Sequence, residues 1–166
     1  MEIRVGILTV SDRSARGERP DASGPALEAV VVGQGWRVAR TGILPDDRLA
    51  LEQALAEWCA SGAIDVLLTT GGTGFGPRDV TPEATLAVVE RLAPGLAEAM
   101  RAESLKITPH AMLSRAAAGI RGQTLIVNLP GSPKGAVEAM QVILPVLPHA
   151  VELLRSDPGA EAGHAR

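Results

Sequence analysis

Between Leu67 and Pro82 the chain reads Leu-Leu-Thr-Thr-Gly-Gly-Thr-Gly-Phe-Gly-Pro-Arg-Asp-Val-Thr-Pro, and no other stretch limits the fold so tightly. It begins as a buried strand, turns abruptly into a glycine-rich loop, and ends in Thr81-Pro82-Glu83, a good helix start with Thr81 as N-cap and Pro82 at the first position. A plain strand-to-helix turn needs one or two glycines. Here Gly71, Gly72, Gly74 and Gly76 crowd into six residues, which lets backbone approach a ligand closely and adopt positive φ. The amides of such a loop can surround an anion as a helix N-terminus does. Asp79 follows at the rim. Two familiar phosphate motifs do not fit. No register supplies Gly-x-Gly-x-x-Gly, and Gly71 and Gly76 have P-loop spacing but are followed by Pro77-Arg78 where Lys-Ser/Thr belongs. The loop is therefore expected to be a phosphate or nucleotide site of another kind.

The rest of the chain supplies a frame for it. Ile3–Val10 is an almost unbroken apolar, β-branched run, the pattern of a central strand covered on both faces. A polar loop from Ser14 to Ser23 follows. Leu27, Val30 and Val31 then predict a helix over roughly Gly24–Gln34, and Trp36–Leu44 reads as a second strand. Pro45-Asp46-Asp47 opens a helix with Leu51, Leu55 and Trp58 on one face, and Ile64–Thr70 is the strand that enters the glycine loop. Beyond the loop, Val88, Val89 and Leu92 are expected on one helical face. A helix at Leu96–Lys106, a short helical piece at Met112–Ala117 and a strand pair at Gly119–Arg121 and Gln123–Leu129 follow. Pro130-Gly131-Ser132-Pro133-Lys134 is a second strand-to-helix turn. The helix after it, Ala136–Leu154, should break or kink at Pro145 and Pro148. Strands alternating with helices imply an α/β fold, a three-layer α/β/α sandwich around a mostly parallel sheet. One domain over 1–155 is expected, with a disordered tail at 156–166.

In open parallel sheets ligands bind beyond the carboxyl ends of the strands. That rule gathers Ser11-Asp12, Pro45-Asp46, the glycine loop and Pro130–Lys134 onto one rim. Each member has an ordinary explanation as well. Asp46 or Asp47 can cap a helix, Ser132 and Pro133 are a normal helix start, and Lys134 is a normal surface lysine, although it is one of only two lysines in the chain. Asp46 and Asp79 on neighbouring loops facing an anion site would suit a divalent ion that neutralises phosphate charge. From spacing alone both accounts of the pair stand. Asn128, the only asparagine, needs its amide satisfied and is a candidate for reading a heterocycle edge.

The net charge of −3, one Phe and no Tyr argue against a nucleic-acid surface. The N-terminus has no basic stretch leading into a long apolar run, and no uncharged apolar segment reaches roughly 18 residues, so neither a signal peptide nor a membrane span is expected. Cys59 has no partner for an internal disulfide and fits a reducing cytoplasm. His110, His149 and His164 are too dispersed for a metal site; Cys59 and Trp58 read as packing.

The chain also resembles a known family, the molybdopterin adenylyltransferases (MogA/MoaB-like proteins of molybdenum cofactor biosynthesis). The resemblance rests on Leu8–Arg13, Leu44–Asp47, Thr69–Gly74, Arg78–Pro82, Leu113–Arg115 and Leu125–Lys134, in that order, and spans Ile3 to about Leu154. It implies a cytoplasmic enzyme, usually a homotrimer and in some members a hexamer. That enzyme transfers AMP from Mg-ATP to the terminal phosphate of molybdopterin, releases pyrophosphate and passes its product to a molybdenum insertion enzyme. By the same resemblance the essential aspartates fall on Asp46 and Asp79, which would also hold Mg²⁺. The nucleotide loop falls on Thr69, Thr70, Gly71, Gly72, Thr73 and Gly74. Pterin contacts fall on Ser11, Asp12, Asp21, Ser114, Asn128, Pro130, Gly131, Ser132, Pro133 and Lys134. MoaB-type relatives that lack the aspartates bind pterin without adenylating it, so a molybdopterin carrier is the alternative, and a nucleotide pyrophosphatase a third.

Overall fold

The computed structural model describes residues 1–156. Four mutually parallel strands make up one side of a six-stranded sheet in the order β2-β1-β3-β6-β5-β4: β1 (Arg4–Val10), β2 (Arg37–Leu44), β3 (Val66–Thr70) and β6 (Thr124–Leu129). Two antiparallel strands, β5 (Ala118–Arg121) and β4 (Arg91–Leu92), complete one edge.

Side-chain alternation along the central strands fills two cores. Val5, Ile7, Val66, Leu68, Leu125, Val127 and Leu129 pack with α2 (Ser23–Gly33), α5 (Pro94–Leu105), α6 (Pro133–Ile143) and α7 (Leu147–Leu154). Leu8, Val10, Leu67 and Ile126 pack on the other face with α3 (Arg48–Ala60) and α4 (Thr81–Val88). Burial on both faces is why these strands read as continuous apolar runs. The mostly parallel three-layer α/β/α arrangement is the one the sequence implied.

Register lines up the functional rim. Thr9 pairs with Thr70 and Thr70 with Leu129, while Val10 pairs with Leu44. Ser11, Pro45, Gly71 and Pro130 therefore leave the sheet side by side.

Several expectations are corrected. The helix after the glycine loop stops at Val88, because Glu90 and Ala93 donate backbone hydrogen bonds to Ile120 and Ala118 and draw residues 91–92 into the sheet edge as β4. Leu92, placed on an apolar helical face from sequence, is exposed. The N-cap of α4 is Val80; Thr81 is its first residue, and its hydroxyl serves the glycine loop instead. The loop after β1 opens with a short helix, α1 (Asp12–Ala15), capped by the Ser11 side chain, which accepts from the Ser14 amide. The helical piece expected at 112–117 is a 3-10 turn at Pro109–Leu113, followed by extended chain. The break at Pro145 and Pro148 is present: α6 gives way to a 3-10 turn at Leu144–Val146 and then to α7. Pro133–Leu154 is long and apolar enough to cross a membrane by composition alone. In the fold, its Ala136, Ala139, Met140, Ile143, Leu147 and Val151 are spent on the sheet. The tail expected at 156–166 lies, from residue 157 onward, outside the described residues.

Candidate functional site

The glycine loop is built by its neighbours. Gly71 has φ +105° and Gly72 φ +67°, both closed to ordinary side chains. A Cβ at Gly71 would lie 2.2 Å from the Val10 carbonyl oxygen, and one at Gly72 2.3 Å from the Thr81 hydroxyl. That hydroxyl donates to the Gly71 carbonyl at 2.9 Å, the Thr81 amide donates to the Gly72 carbonyl, and the Gly71 amide donates to Leu129. The first half of the loop is thus pinned between β1, β6 and α4. In the second half the chain curls around Asp79, whose Oδ2 accepts from the Gly76 amide at 2.9 Å.

Beneath the loop lies an open cleft of about 770 Å³. Four aspartates line it, from four chain segments, together with Ser11, Thr70, Gly71, Gly72, Gly131, Ser132 and Pro133. Two of the four are answered by the protein. Arg78 grips Asp12 through Nε at 2.5 Å and Nη2 at 2.9 Å, and its hydrogen bond is the main reason the Asp12 carboxyl drops to about 2. Asp21 accepts from the Thr9 hydroxyl at 2.8 Å and from the Gly24 amide at 3.1 Å, seating the start of α2. Among the described residues Asp46 and Asp79 have no such ion pair. Asp46 exchanges two backbone-to-carboxylate hydrogen bonds with Asp12, each 3.1 Å. Burial pushes the Asp46 carboxyl up, and the negative charges of Asp12 and Asp79 push it further; the Asp12 amide and Arg78 only partly offset this.

A second cavity of about 420 Å³ adjoins the cleft and is lined by Thr73, Gly74, Ser114, Asn128, Pro130, Ser132 and Lys134, with Ala97, Met100 and Leu113 among its apolar walls. Ser132 lines both spaces and also caps α6, accepting from the Gly135 amide. The predicted set is therefore divided. The aspartates, Ser11, Thr70, Gly71, Gly72, Gly131 and Pro133 face the cleft, while Thr73, Gly74, Ser114, Pro130 and Lys134 face the neighbouring cavity.

Two predicted residues are not presented to a ligand in the way the sequence suggested. Thr69 is fully buried and lines neither space; its hydroxyl accepts from Asn128. Asn128 is itself fully buried, its Nδ2 donating to Thr69 and Thr85 and its Oδ1 accepting from the Ala117 amide. Both amide hydrogens are used, so its nitrogen ties β6 to β3 and α4 at the base of the cavity it lines. Conversely, Arg78 and Arg115 carry roles in the site that were not foreseen from sequence. The latter donates to the carbonyls of Gly74 and Asp79, each at 2.7 Å, and forms a close ion pair with Glu83 that lowers the Glu83 carboxyl. Their places in the quoted motifs, beside Asp79 and Ser114, were the available signal. Among the described residues no group of three or more His, Cys, Asp or Glu side chains could hold a metal. Asp46 and Asp79 offer hard oxygen ligands, and the opposed ionisation of Asp46 is what a cation there would relieve. That donor set fits an ion such as Mg²⁺, which commonly uses one or two carboxylates and completes its shell with phosphate and water.

An open, parallel-rich sheet whose strand ends bring a glycine loop and four aspartates to one cleft is the arrangement of an α/β protein that takes its ligand beyond the strand ends. Comparison with known proteins narrows this: residues 6–149 match the family described as a probable molybdopterin binding domain, and the chain belongs to that family. It is 41% identical over 154 residues to the molybdopterin adenylyltransferase of Helicobacter pylori strain J99, covering 92% of this chain and 88% of that protein. It is 44% identical to gephyrin of Dictyostelium discoideum, of which it spans 23% of the length. Among solved structures, the molybdopterin biosynthesis enzyme MoaB of Thermus thermophilus superposes with a TM-score of 0.88 at 51% identity, covering 94% of this chain and 98% of that one.

Proposed function

We propose that the protein is a molybdopterin adenylyltransferase, acting in molybdenum cofactor biosynthesis through one domain over residues 1–155. A terminal phosphate oxygen of molybdopterin attacks the α-phosphorus of ATP. The bond from that phosphorus to the oxygen bridging to the β-phosphate breaks, and pyrophosphate leaves with the electron pair. One observation carries the reading: Asp46 and Asp79 share the cleft beneath the glycine loop, and among the described residues neither forms a side-chain ion pair with an arginine. Mg²⁺ held by these two carboxylates would supply charge neutralisation for the phosphate chain. The backbone of residues 70–74 and the amides of the loop orient that chain, leaving the protein's contribution mainly positioning and electrostatics. Ser11, Asp12, Asp21, Ser114 and residues 130–134 then shape the space for the pterin, with Asn128 holding that wall from behind. A cytoplasmic homotrimer or hexamer that hands its product to a molybdenum insertion enzyme is part of the same reading. The exposed Phe75, Ile107 and Met112 offer apolar surface for such contacts.

The test is pyrophosphate release from Mg-ATP with and without molybdopterin. Wild type should release it only when pterin is present, and Asp79→Asn should lose at least about 100-fold in rate with an unchanged melting temperature. Wild-type turnover in Asp79→Asn sinks the assignment. Release without pterin would indicate a nucleotide pyrophosphatase, and pterin binding without release a carrier.

A further inference from the structure

Arg115 lies between the 3-10 turn and β5, and its side chain is one-third exposed. Its backbone amide donates to the Thr73 carbonyl at 2.8 Å. Its guanidinium then reaches across the loop, Nε to the Gly74 carbonyl and Nη2 to the Asp79 carbonyl, while Nη1 is held by Glu83 in the first turn of α4. One planar fork thus fixes two carbonyls on either side of the turn at Gly76. Inside that turn sits the Asp79 carboxylate: Cβ atoms at Gly74 and Gly76 would lie 3.0 and 2.9 Å from its Oδ2. The segment carrying Arg115 is braced in its turn, because Arg101 on α5 donates to the Ser114 carbonyl at 2.7 Å. Tying that segment to α4 requires only the ion pair with Glu83. The two bonds to loop carbonyls are additional, and both act on the stretch that carries the carboxylate.

We propose that Arg115 is a positioning residue that holds residues 74–79 so that the Asp79 carboxylate faces the cleft beside Asp46. The proposal rests on the reading of Asp79 as a group that acts on the substrate complex. Lysine keeps the charge opposite Glu83 but cannot span both carbonyls with a planar fork. Arg115→Lys and Arg115→Gln should therefore each lower kcat by about tenfold or more, a scale expected of sub-ångström misplacement, while KM for molybdopterin changes by less than about threefold. Arg115→Lys should melt within a few degrees of wild type. The double variant Arg115→Gln/Asp79→Asn should be no slower than Asp79→Asn alone, because Arg115 acts through Asp79. Additive losses in the double variant, or a wild-type rate in Arg115→Lys, would overturn the proposal. If wild type releases no pyrophosphate, the adenylyl-transfer reading fails on its own. The proposal is then decided by Mn²⁺-ATP binding followed by electron paramagnetic resonance: an affinity lowered about fivefold or more in Arg115→Lys supports it, and equal affinity overturns it.

Discussion

Replacing Gly72 with alanine tests whether the glycine loop is held as a rigid unit. Gly72 has φ +67°, and an L-residue in that region costs about 1–2 kcal/mol. The new methyl would also stand 2.3 Å from the Thr81 hydroxyl. Thr81 must then rotate away from the Gly71 carbonyl, a buried bond whose loss leaves an acceptor unsatisfied at about 1–3 kcal/mol. Together these give a destabilisation of about 2–5 kcal/mol, or about 4–20 °C in melting temperature for a chain of this size. The same methyl would lie 3.0 Å from Asp46 Oδ1, so pyrophosphate release should fall even at temperatures where the variant is fully folded. Gly95→Ala is the control. It lies in α5 with nothing within 4 Å of an added Cβ, and should gain about 0.5–1 kcal/mol. Urea unfolding followed by circular dichroism, with pyrophosphate release assayed in parallel, measures both effects. A Gly72→Ala protein as stable and as active as wild type would refute the reasoning, as would equal destabilisation by Gly95→Ala.

Two further outcomes concern carboxylates. Asp65, at the opposite end of the sheet, is buried and accepts five hydrogen bonds, three from Arg4 and two from Arg155. Burial alone would raise its carboxyl; the two arginines instead hold it at about 2. A depressed carboxyl stabilises the fold above the ordinary carboxylate range, and that contribution, about 2 kcal/mol, is lost as pH falls through about 2. Asp65→Asn should accordingly lose about 2–4 kcal/mol at pH 7, with the gap to wild type narrowing between roughly pH 4 and pH 2 in urea titrations. A gap that does not change with pH contradicts this. Asp46 is shifted the other way, so its ionisation opposes folding: the stability it allows is complete below the ordinary carboxylate range and falls as pH rises through its raised value. Asp46→Asn should melt higher than wild type at pH 7 and converge with it in acid, while pyrophosphate release drops by about 100-fold or more. A lower melting point at neutral pH would show that the buried charge is compensated after all.

The strands most legible in the sequence were those whose burial leaves no choice of face. Residues 3–10, 64–70 and 123–129 are apolar on both sides, and their carboxyl ends fall together once the sheet is parallel. The glycine loop was equally legible, because its glycines mark backbone conformations that other residues reject. What stayed hidden depends on contacts remote in sequence. β4 is two residues long and exists only through its pairing with β5, so Leu92 looked like the next turn of a helix. Arg78 meets Asp12 across 66 positions and Arg115 meets Asp79 across 36, and nothing local distinguishes them from solvated arginines. Asn128 illustrates the same limit. Its amide was expected to find a partner, and its nitrogen donates to Thr69 and Thr85, 59 and 43 positions away.

The four aspartates of the cleft explain what kind of ligand the site asks for. Asp12 is cancelled by Arg78, and Asp21 is occupied by the Thr9 hydroxyl and the Gly24 amide. Asp46 and Asp79 line the same cleft beside a loop whose backbone favours anions. A bare phosphate chain would gain the loop amides but meet two carboxylates. A bare cation would gain those carboxylates, but the described residues offer no cluster of three His, Cys, Asp or Glu side chains to hold it. The proposed substrate, a phosphate chain carrying a divalent cation, would suit both halves at once, with its oxygens on the amides and its metal on the carboxylates. The loop that first limited the fold is thus one half of the proposed site, and the Asp46–Asp79 pair beside it is the other half.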